Sequence, residues 1–202
     1  MKKLVVIAAT CALLGSATAA LAAGDATAGK TKSVSCAACH NADGNSTNPA
    51  YPKLAGQGAD YLLKQLQEFK AGVRVNAIMA GMAAPLSPQD MEDLAAYFAS
   101  QQVTRGTTDP ALAAAGEAVF RGGNLNSGLA ACSACHGATG AGNPAAKFPS
   151  LAGQHADYVE LQLKSFRAME RANDAGQMMR ANAAKMTDAE IKAVASYVQG
   201  LQ

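Results

Sequence analysis

Two short stretches bring thiols and an imidazole together: SCAACHNADG (35–44) and ACSACHGATG (131–140). Each places two cysteines three residues apart with a histidine immediately after, Cys36/Cys39/His40 and Cys132/Cys135/His136. Four chemistries use such thiols: a disulfide, a dithiol redox pair, half of a zinc site, or thioether attachment to a porphyrin. A redox pair does not require the following histidine, and zinc needs further Cys or His ligands. Beyond the two clusters the chain offers Cys11 in its apolar N-terminal stretch and one more histidine, His155. The remaining reading is covalent haem c, twice. The two thiols add across the vinyl groups, and the histidine sits under the iron as proximal ligand.

An iron held by histidine on one side needs a sixth ligand, a water or an open position. Methionine thioether is the usual partner in electron-transfer c-type cytochromes and raises the reduction potential. The chain has eight methionines, and an internal repeat sorts them. Met91 matches Ile191, Met186 matches Leu86 and Met178 matches Ile78, the pattern expected of core filler. Only Met79 and Met179 are methionine in both copies, 39 and 43 residues after their histidines. They are the expected distal ligands, with Met82 and Met178 the nearest rivals. His155 matches Gly58, so the first site does without it, and it reads as a loop histidine. Pro52 and Pro149 follow His40 and His136 by 12 and 13 residues. They either turn the chain so that a carbonyl accepts the ligand histidine's Nδ1 proton, or serve as plain loop turns.

The elements that must position these groups are also written twice. YPKLAGQGADYLLKQLQEFKAG (51–72) lies over FPSLAGQHADYVELQLKSFRAM (148–169), sharing Gln57/Gln154, Tyr61/Tyr158 and Gln65/Gln162 among others. MAGMAAPLSPQDMEDLAAYF (79–98) lies over MRANAAKMTDAEIKAVASYV (179–198). Tyr61, Leu62, Leu66 and Phe69 recur at helix spacing, as do Tyr158, Leu161, Leu163 and Phe166 more loosely. Ser87-Pro88-Gln89-Asp90 and Thr187-Asp188-Ala189-Glu190 are helix starts. Behind them Met91, Leu94, Ala95 and Phe98, matched by Ile191, Val194, Ala195 and Val198, form an apolar stripe. No alternating strand pattern of useful length occurs. The expectation is an all-α protein of two tandem domains, each with a helix leading into its cluster, a middle helix and a C-terminal helix. Gly29 and Gly116 would let the first helix approach Tyr97 and Tyr197 on the last. Domains this small gain from a bound group that completes the core.

Residues 1–22 read as a cleaved signal peptide: Lys2 and Lys3, an apolar middle, and an Ala20-Leu21-Ala22 end. The domains are then 23–102 and 110–202, joined by a linker at 103–109. Removing Lys2 and Lys3 lowers Lys and Arg from 17 to 15, equal to the 15 acids, and each half is balanced by itself. This leaves no basic footprint for nucleic acid or anionic lipid.

Taken together, the SCAACHNADGNS, YPKLAGQGADYLLKQLQEFKAG, MAGM and LSPQDMEDLAAYFASQ segments and their second copy resemble the cytochrome c4 family, across essentially the whole exported chain. The resemblance implies two class I cytochrome c domains about a pseudo-twofold axis, in the periplasm. It implies two covalent haem c groups ligated by His40/Met79 and His136/Met179, with proline carbonyl bonds at Pro52 and Pro149. It further implies a monomeric one-electron carrier in a respiratory chain. Its donor would be a membrane quinol-oxidising complex or another redox protein, its acceptor a terminal oxidase, and it would associate peripherally with such complexes. Two other roles use the same ligand types: the haem subunit of a flavocytochrome-type dehydrogenase, and a dihaem peroxidase. The second needs an open iron, against which the matched methionines argue.

Overall fold

The computed structural model describes residues 24–201, and the expected signal peptide at 1–22 lies outside them. Ten α-helices follow one another among these residues. They are α1 (Ala26–Lys32), α2 (Ala37–His40), α3 (Ala59–Lys70), α4 (Ala77–Ala83), α5 (Pro88–Ala99), α6 (Ala113–Gly122), α7 (Cys132–His136), α8 (Ala156–Arg167), α9 (Met178–Ala183) and α10 (Asp188–Gly200). Extended pairing among them is limited to two isolated bridges, Asn124 with Leu129 and Asn143 with Phe148. The fold is all-α, as expected. No helix among the described residues is long and apolar enough to cross a membrane.

The two halves repeat one plan. In the first, α1 and α3 both pack on α5, and α4 packs on α3. In the second, α6 and α8 pack on α10, and α9 packs on α8. The capping residues set where α5 and α10 begin. Ser87 Oγ accepts the Asp90 N–H at 3.2 Å while the Asp90 carboxylate accepts the Ser87 N–H at 2.9 Å. Thr187 and Glu190 exchange the same two bonds at 3.2 and 2.8 Å. Each box satisfies two amides that have no partner within the helix. The stripes that follow are buried throughout: Met91, Leu94, Ala95 and Phe98 in α5, and Ile191, Val194, Ala195 and Val198 in α10. Burying each large side chain contributes about 1.5–3 kcal/mol.

Close approach of the first and last helices depends on having no side chain at the crossing. A Cβ at Gly29 would stand 2.0 Å from the Asp93 carbonyl oxygen and 2.7 Å from Tyr97 Cβ. At Gly116 it would meet the Ala193 oxygen at 2.3 Å and Tyr197 Cβ at 2.6 Å. Glycine is required at both crossings.

Three expectations need correction. Leu161 is 55% exposed, and Val159 takes the buried place on α8 instead. The pair Ile78 and Met178 is not core filler, being 59% and 41% exposed. Both stand in the first turn of a short helix, one residue out of phase with the half-buried methionine that follows. The helices α4 and α9 themselves were not anticipated, because two turns are too short to display an apolar period.

The connector forms no helix or turn over residues 102–109. It is strapped to both halves. Thr104 N–H donates to Asn45 Oδ1 at 2.7 Å, and Asn45 Nδ2 donates to the Gln102 carbonyl at 2.9 Å. On the other side Gly106 N–H donates to the Gln199 carbonyl at 3.0 Å and Asp109 N–H to Ser196 Oγ at 2.9 Å.

Candidate functional site

Each cluster lies on a single helical turn. In α2 and the residue before it, Cys36 and Cys39 stand one turn apart and His40 ends the helix. In α7 the same three groups run from Cys132 to His136. Residues three apart share a helix face, which brings each thiol pair together beside its imidazole. The chain then reverses, with Asn41 at φ 61° and Gly137 at φ 80°. In the first half the Gly44 carbonyl takes the N–H groups of Leu54 and Ala55 at 2.7 and 3.2 Å. In the second the Gly140 carbonyl takes those of Leu151 and Ala152 at the same distances. These bonds draw the proline loop back against the histidine.

The result is one contact made twice. His40 Nδ1 lies 2.8 Å from the Pro52 carbonyl oxygen, and His136 Nδ1 lies 2.8 Å from that of Pro149. A carbonyl only accepts, so the proton sits on Nδ1 and Nε2 carries the lone pair. Both rings are buried. Burial lowers both imidazole pKa values and the proline carbonyls oppose it, with the net direction downward. The rings are neutral and fixed, each with a free ligating nitrogen. Tyr51 and Phe148 stand 6.2 Å from the respective rings, centroid to centroid.

None of the four cluster cysteines is in a disulfide. Burial raises the Cys36 pKa and pushes that of Cys132 up to about 11. A thiol redox pair works through a depressed pKa, so these leading cysteines lack its electrostatics. No group of three or more His, Cys, Asp or Glu able to hold a bare metal ion occurs among the described residues. The donor set is a thiol pair plus a neutral imidazole whose other nitrogen is already bonded. It fits covalent haem and does not fit zinc. Gln65 Nε2 is a buried donor without a partner among the described residues. Its own Oε1 already receives Arg74, Arg171 and Asn173. The neighbouring acceptors Glu68, Gln162, Tyr61 and Tyr158 are taken by Arg74, Arg171 and Asn173, and a carboxylate of a bound group would be a further acceptor for this N–H.

Met79 is the third residue of α4, where its N–H is capped by Asn76 Oδ1 at 2.9 Å. Met179 is the second residue of α9, beside an Asp174 that accepts both the Arg180 N–H at 3.0 Å and Arg180 Nε at 2.7 Å. Both methionines are half-buried, whereas the rivals Met82 and Met178 are exposed. Asn76, as a side-chain N-cap, is the one sequence signal for α4, and it was passed over. The start of α9 follows left-handed Gly176 and Gln177 and carries no side-chain cap, so its sequence was silent.

The halves meet across a dense polar seam that sequence reasoning did not find. Arg74 Nη2 donates to Tyr158 Oη at 2.8 Å, and Arg171 Nη2 donates to Tyr61 Oη at 3.0 Å. His155, half-buried at the start of α8, is bonded through Nε2 to the Ser46 carbonyl at 2.7 Å. Gln57 and Gln154 each bond the main chain of the opposite half. The one available signal was that these tyrosines and glutamines are identical in both copies.

The family model for cytochrome c matches residues 24–102 and again 113–202. A cytochrome c4 from Stutzerimonas stutzeri is 52% identical over 198 residues, covering 93% of this chain and 94% of that protein. One from Pseudomonas aeruginosa is 51% identical over 189 residues, with the same coverages. Among solved structures, reduced recombinant cytochrome c4 from Pseudomonas stutzeri superposes with a TM-score of 0.87. It shows 52% identity and covers 89% of this chain and 100% of that one. Doubled cysteine–histidine turns, doubled helices and these relatives agree, and the chain belongs to the cytochrome c4 family of dihaem c-type electron carriers.

Proposed function

We propose that this carrier works in the periplasm of a respiratory chain, and that Cys36, Cys39, Cys132 and Cys135 hold its two haems by thioether bonds. His40 and Met79 would hold one iron, His136 and Met179 the other. Bound haem supplies the one-electron ferrous–ferric couple. The chain's residues do the rest. Each Nδ1–H to proline bond keeps its imidazole in one tautomer and one orientation, and strengthens its donation through Nε2. With a histidine and a methionine of the chain for each iron, the ligand set would stay the same between oxidation states and would leave no place for a substrate. Two domains, 23–102 and 110–202 joined through 103–109, then hold two such sites in one chain. The observation that carries this reading is the twice-repeated buried imidazole bonded at Nδ1 to a proline carbonyl, beside a pair of cysteines.

The ferric optical spectrum of protein matured in a periplasm, with haem counted per chain, tests it. Two low-spin haems, each with the weak long-wavelength thioether-to-iron band, are expected. A high-spin haem, or half that band, would overturn the ligand assignment and turn attention to peroxide chemistry.

For partners, a quinol-oxidising membrane complex as donor and a terminal oxidase as acceptor form the first reading, with the chain a monomer that docks peripherally. A second has specific support. A thiosulfate dehydrogenase electron acceptor from Thiomonas intermedia is 39% identical over 98% of this chain. The thiosulfate dehydrogenase TsdBA of Marichromatium purpuratum matches it at a TM-score of 0.77, with this chain covering 40% of that one. Stopped-flow reduction by each donor class separates the two readings. The physiological donor reduces the protein rapidly and with steep dependence on ionic strength, the other does not.

A further inference from the structure

We propose that Gln57 and Gln154 are crosswise positioning residues, each tuning the haem-ligand histidine of the opposite half. The inference rests on the reading of His40 and His136 as proximal ligands. The Pro52–Lys53 peptide is engaged on both edges. Its carbonyl accepts from His40 Nδ1 at 2.8 Å, and its N–H donates to Gln154 Oε1 at 2.9 Å. Gln154 Nε2 then donates to the Lys53 carbonyl at 2.9 Å, so the amide grips the residue at both ends. The Pro149–Ser150 peptide repeats this. Its carbonyl accepts from His136 Nδ1 at 2.8 Å, its N–H donates to Gln57 Oε1 at 2.8 Å, and Gln57 Nε2 donates to the Ser150 carbonyl at 3.0 Å.

The orientation of both amides is determined by their partners. Each Oε1 receives a second main-chain N–H, from Gly58 and His155 respectively at 2.9 and 3.0 Å, and an N–H can meet only an acceptor. Both side chains are buried, at 7% and 8% exposure, so water does not compete for these bonds. Hydrogen bonds in series polarise one another, more strongly where the dielectric is low. Donation of the Lys53 N–H to Gln154 therefore makes the Pro52 carbonyl a stronger acceptor for His40. A histidine that gives more of its Nδ1 proton is a better donor at Nε2 and favours the ferric state. A glutamine of the second half thus lowers the potential of the first haem, and a glutamine of the first half lowers that of the second. An ordinary packing role predicts no such crossing.

The test uses the full chain matured with both haems, in four variants: Gln154→Leu, Gln154→Glu, Gln57→Leu and Gln57→Glu. Redox titration followed by NMR of the separately resolved haem methyl signals gives each potential. Exchange of each histidine Nδ1 proton is read in the same samples. Gln154→Leu is expected to raise the potential at the Cys36/Cys39 site and speed exchange at His40, with a smaller change at the other site. Gln154→Glu keeps an acceptor, now charged, for the Lys53 N–H but gives up the donation to the Lys53 carbonyl, and is expected to lower the same potential. Gln57 variants should mirror both effects at the Cys132/Cys135 site. The proposal is overturned if each variant moves mainly the haem of its own half, or moves both equally with the exchange rates unchanged. Should the leucine variants fail to mature, the glutamate variants alone carry the same decision. Loss of the thioether-to-iron band in the unaltered protein would instead sink the ligand reading, which is a separate outcome.

Discussion

The backbones of Gly29 and Asp93 touch: a methyl group on Gly29 would have to stand 2.0 Å from the Asp93 carbonyl oxygen. The contact between α1 and α5 therefore leaves no room even for alanine. Gly29→Ala is expected to destabilise the first half by about 3 kcal/mol, through forced separation of the helices. Gly116→Ala should do the same to the second. Gly122→Ala, where nothing stands within 4 Å, serves as the control and is expected to be neutral or slightly stabilising. Urea titration followed by far-UV circular dichroism reads all three. Equal loss in the control and the two test variants would refute the close-contact account.

Half-buried Met79 and Met179 and exposed Met82 and Met178 give the ligand assignment a direct check. Met79→Ala and Met179→Ala should each remove half of the thioether-to-iron band and open one ferrous haem to carbon monoxide. Met82→Ala and Met178→Ala should leave both the band and the carbon monoxide inertness intact. A six-coordinate, inert Met179→Ala protein would show that another residue closes the second site.

Replacing both Cys132 and Cys135 by alanine is expected to halve the haem retained per chain after acid–acetone extraction. The haem of the first half should remain. Cys36→Ala with Cys39→Ala should give the converse. Retention of two haems in either double variant would mean that attachment is not through these thiols.

The loop before α9 has a built-in acid sensitivity. Burial pushes the Asp174 carboxyl up, but the Arg180 N–H and guanidinium outweigh it and hold the pKa below its ordinary value of 3.8. A carboxyl whose pKa is depressed on folding stabilises the fold above its ordinary value. That contribution is lost as pH falls through the lower, folded value. Band intensity at the second haem should accordingly hold from neutral pH to about 4 and decline only below it. Asp174→Asn should cost about 1–2 kcal/mol at neutral pH and flatten the acid limb. An unchanged acid limb in that variant would place the sensitivity elsewhere.

The contrast between α5 and α4 shows what kind of information a linear chain carries. Ser87, Pro88 and Asp90 mark a start, and four apolar residues at helical spacing mark a buried face, so the start of α5 and its buried side were legible. Met79 was legible for a different reason, its recurrence as Met179, while the helix that carries it was not. Leu161 misled because its spacing suits a stripe that Val159 fills from the adjacent angle. The segment 103–109 read as a linker from its composition. Its hydrogen bonds to Asn45 and Gln199 fall to partners about 60 and 90 residues away, and composition cannot name such partners.

The sequence by itself determined the chemistry and its doubling: thiol pairs with an adjacent histidine, one methionine common to both copies, and helices marked by caps and apolar stripes. Apart from the methionine, which the repeat singles out by matching position 79 to 179, these are local facts, fixed by residue type and by spacings shorter than a few helical turns. Only the tertiary structure decided how the two halves join, that Pro52 and Pro149 are carbonyl acceptors for the imidazoles and not plain turns, and which glutamine grips the peptide behind each. Those bonds span from 12 to about 100 residues and depend on where whole loops come to rest. Polar side chains such as glutamine have no preferred partner until burial removes the water that would otherwise satisfy them. Packing the halves face to face is what gave Gln57 and Gln154 theirs.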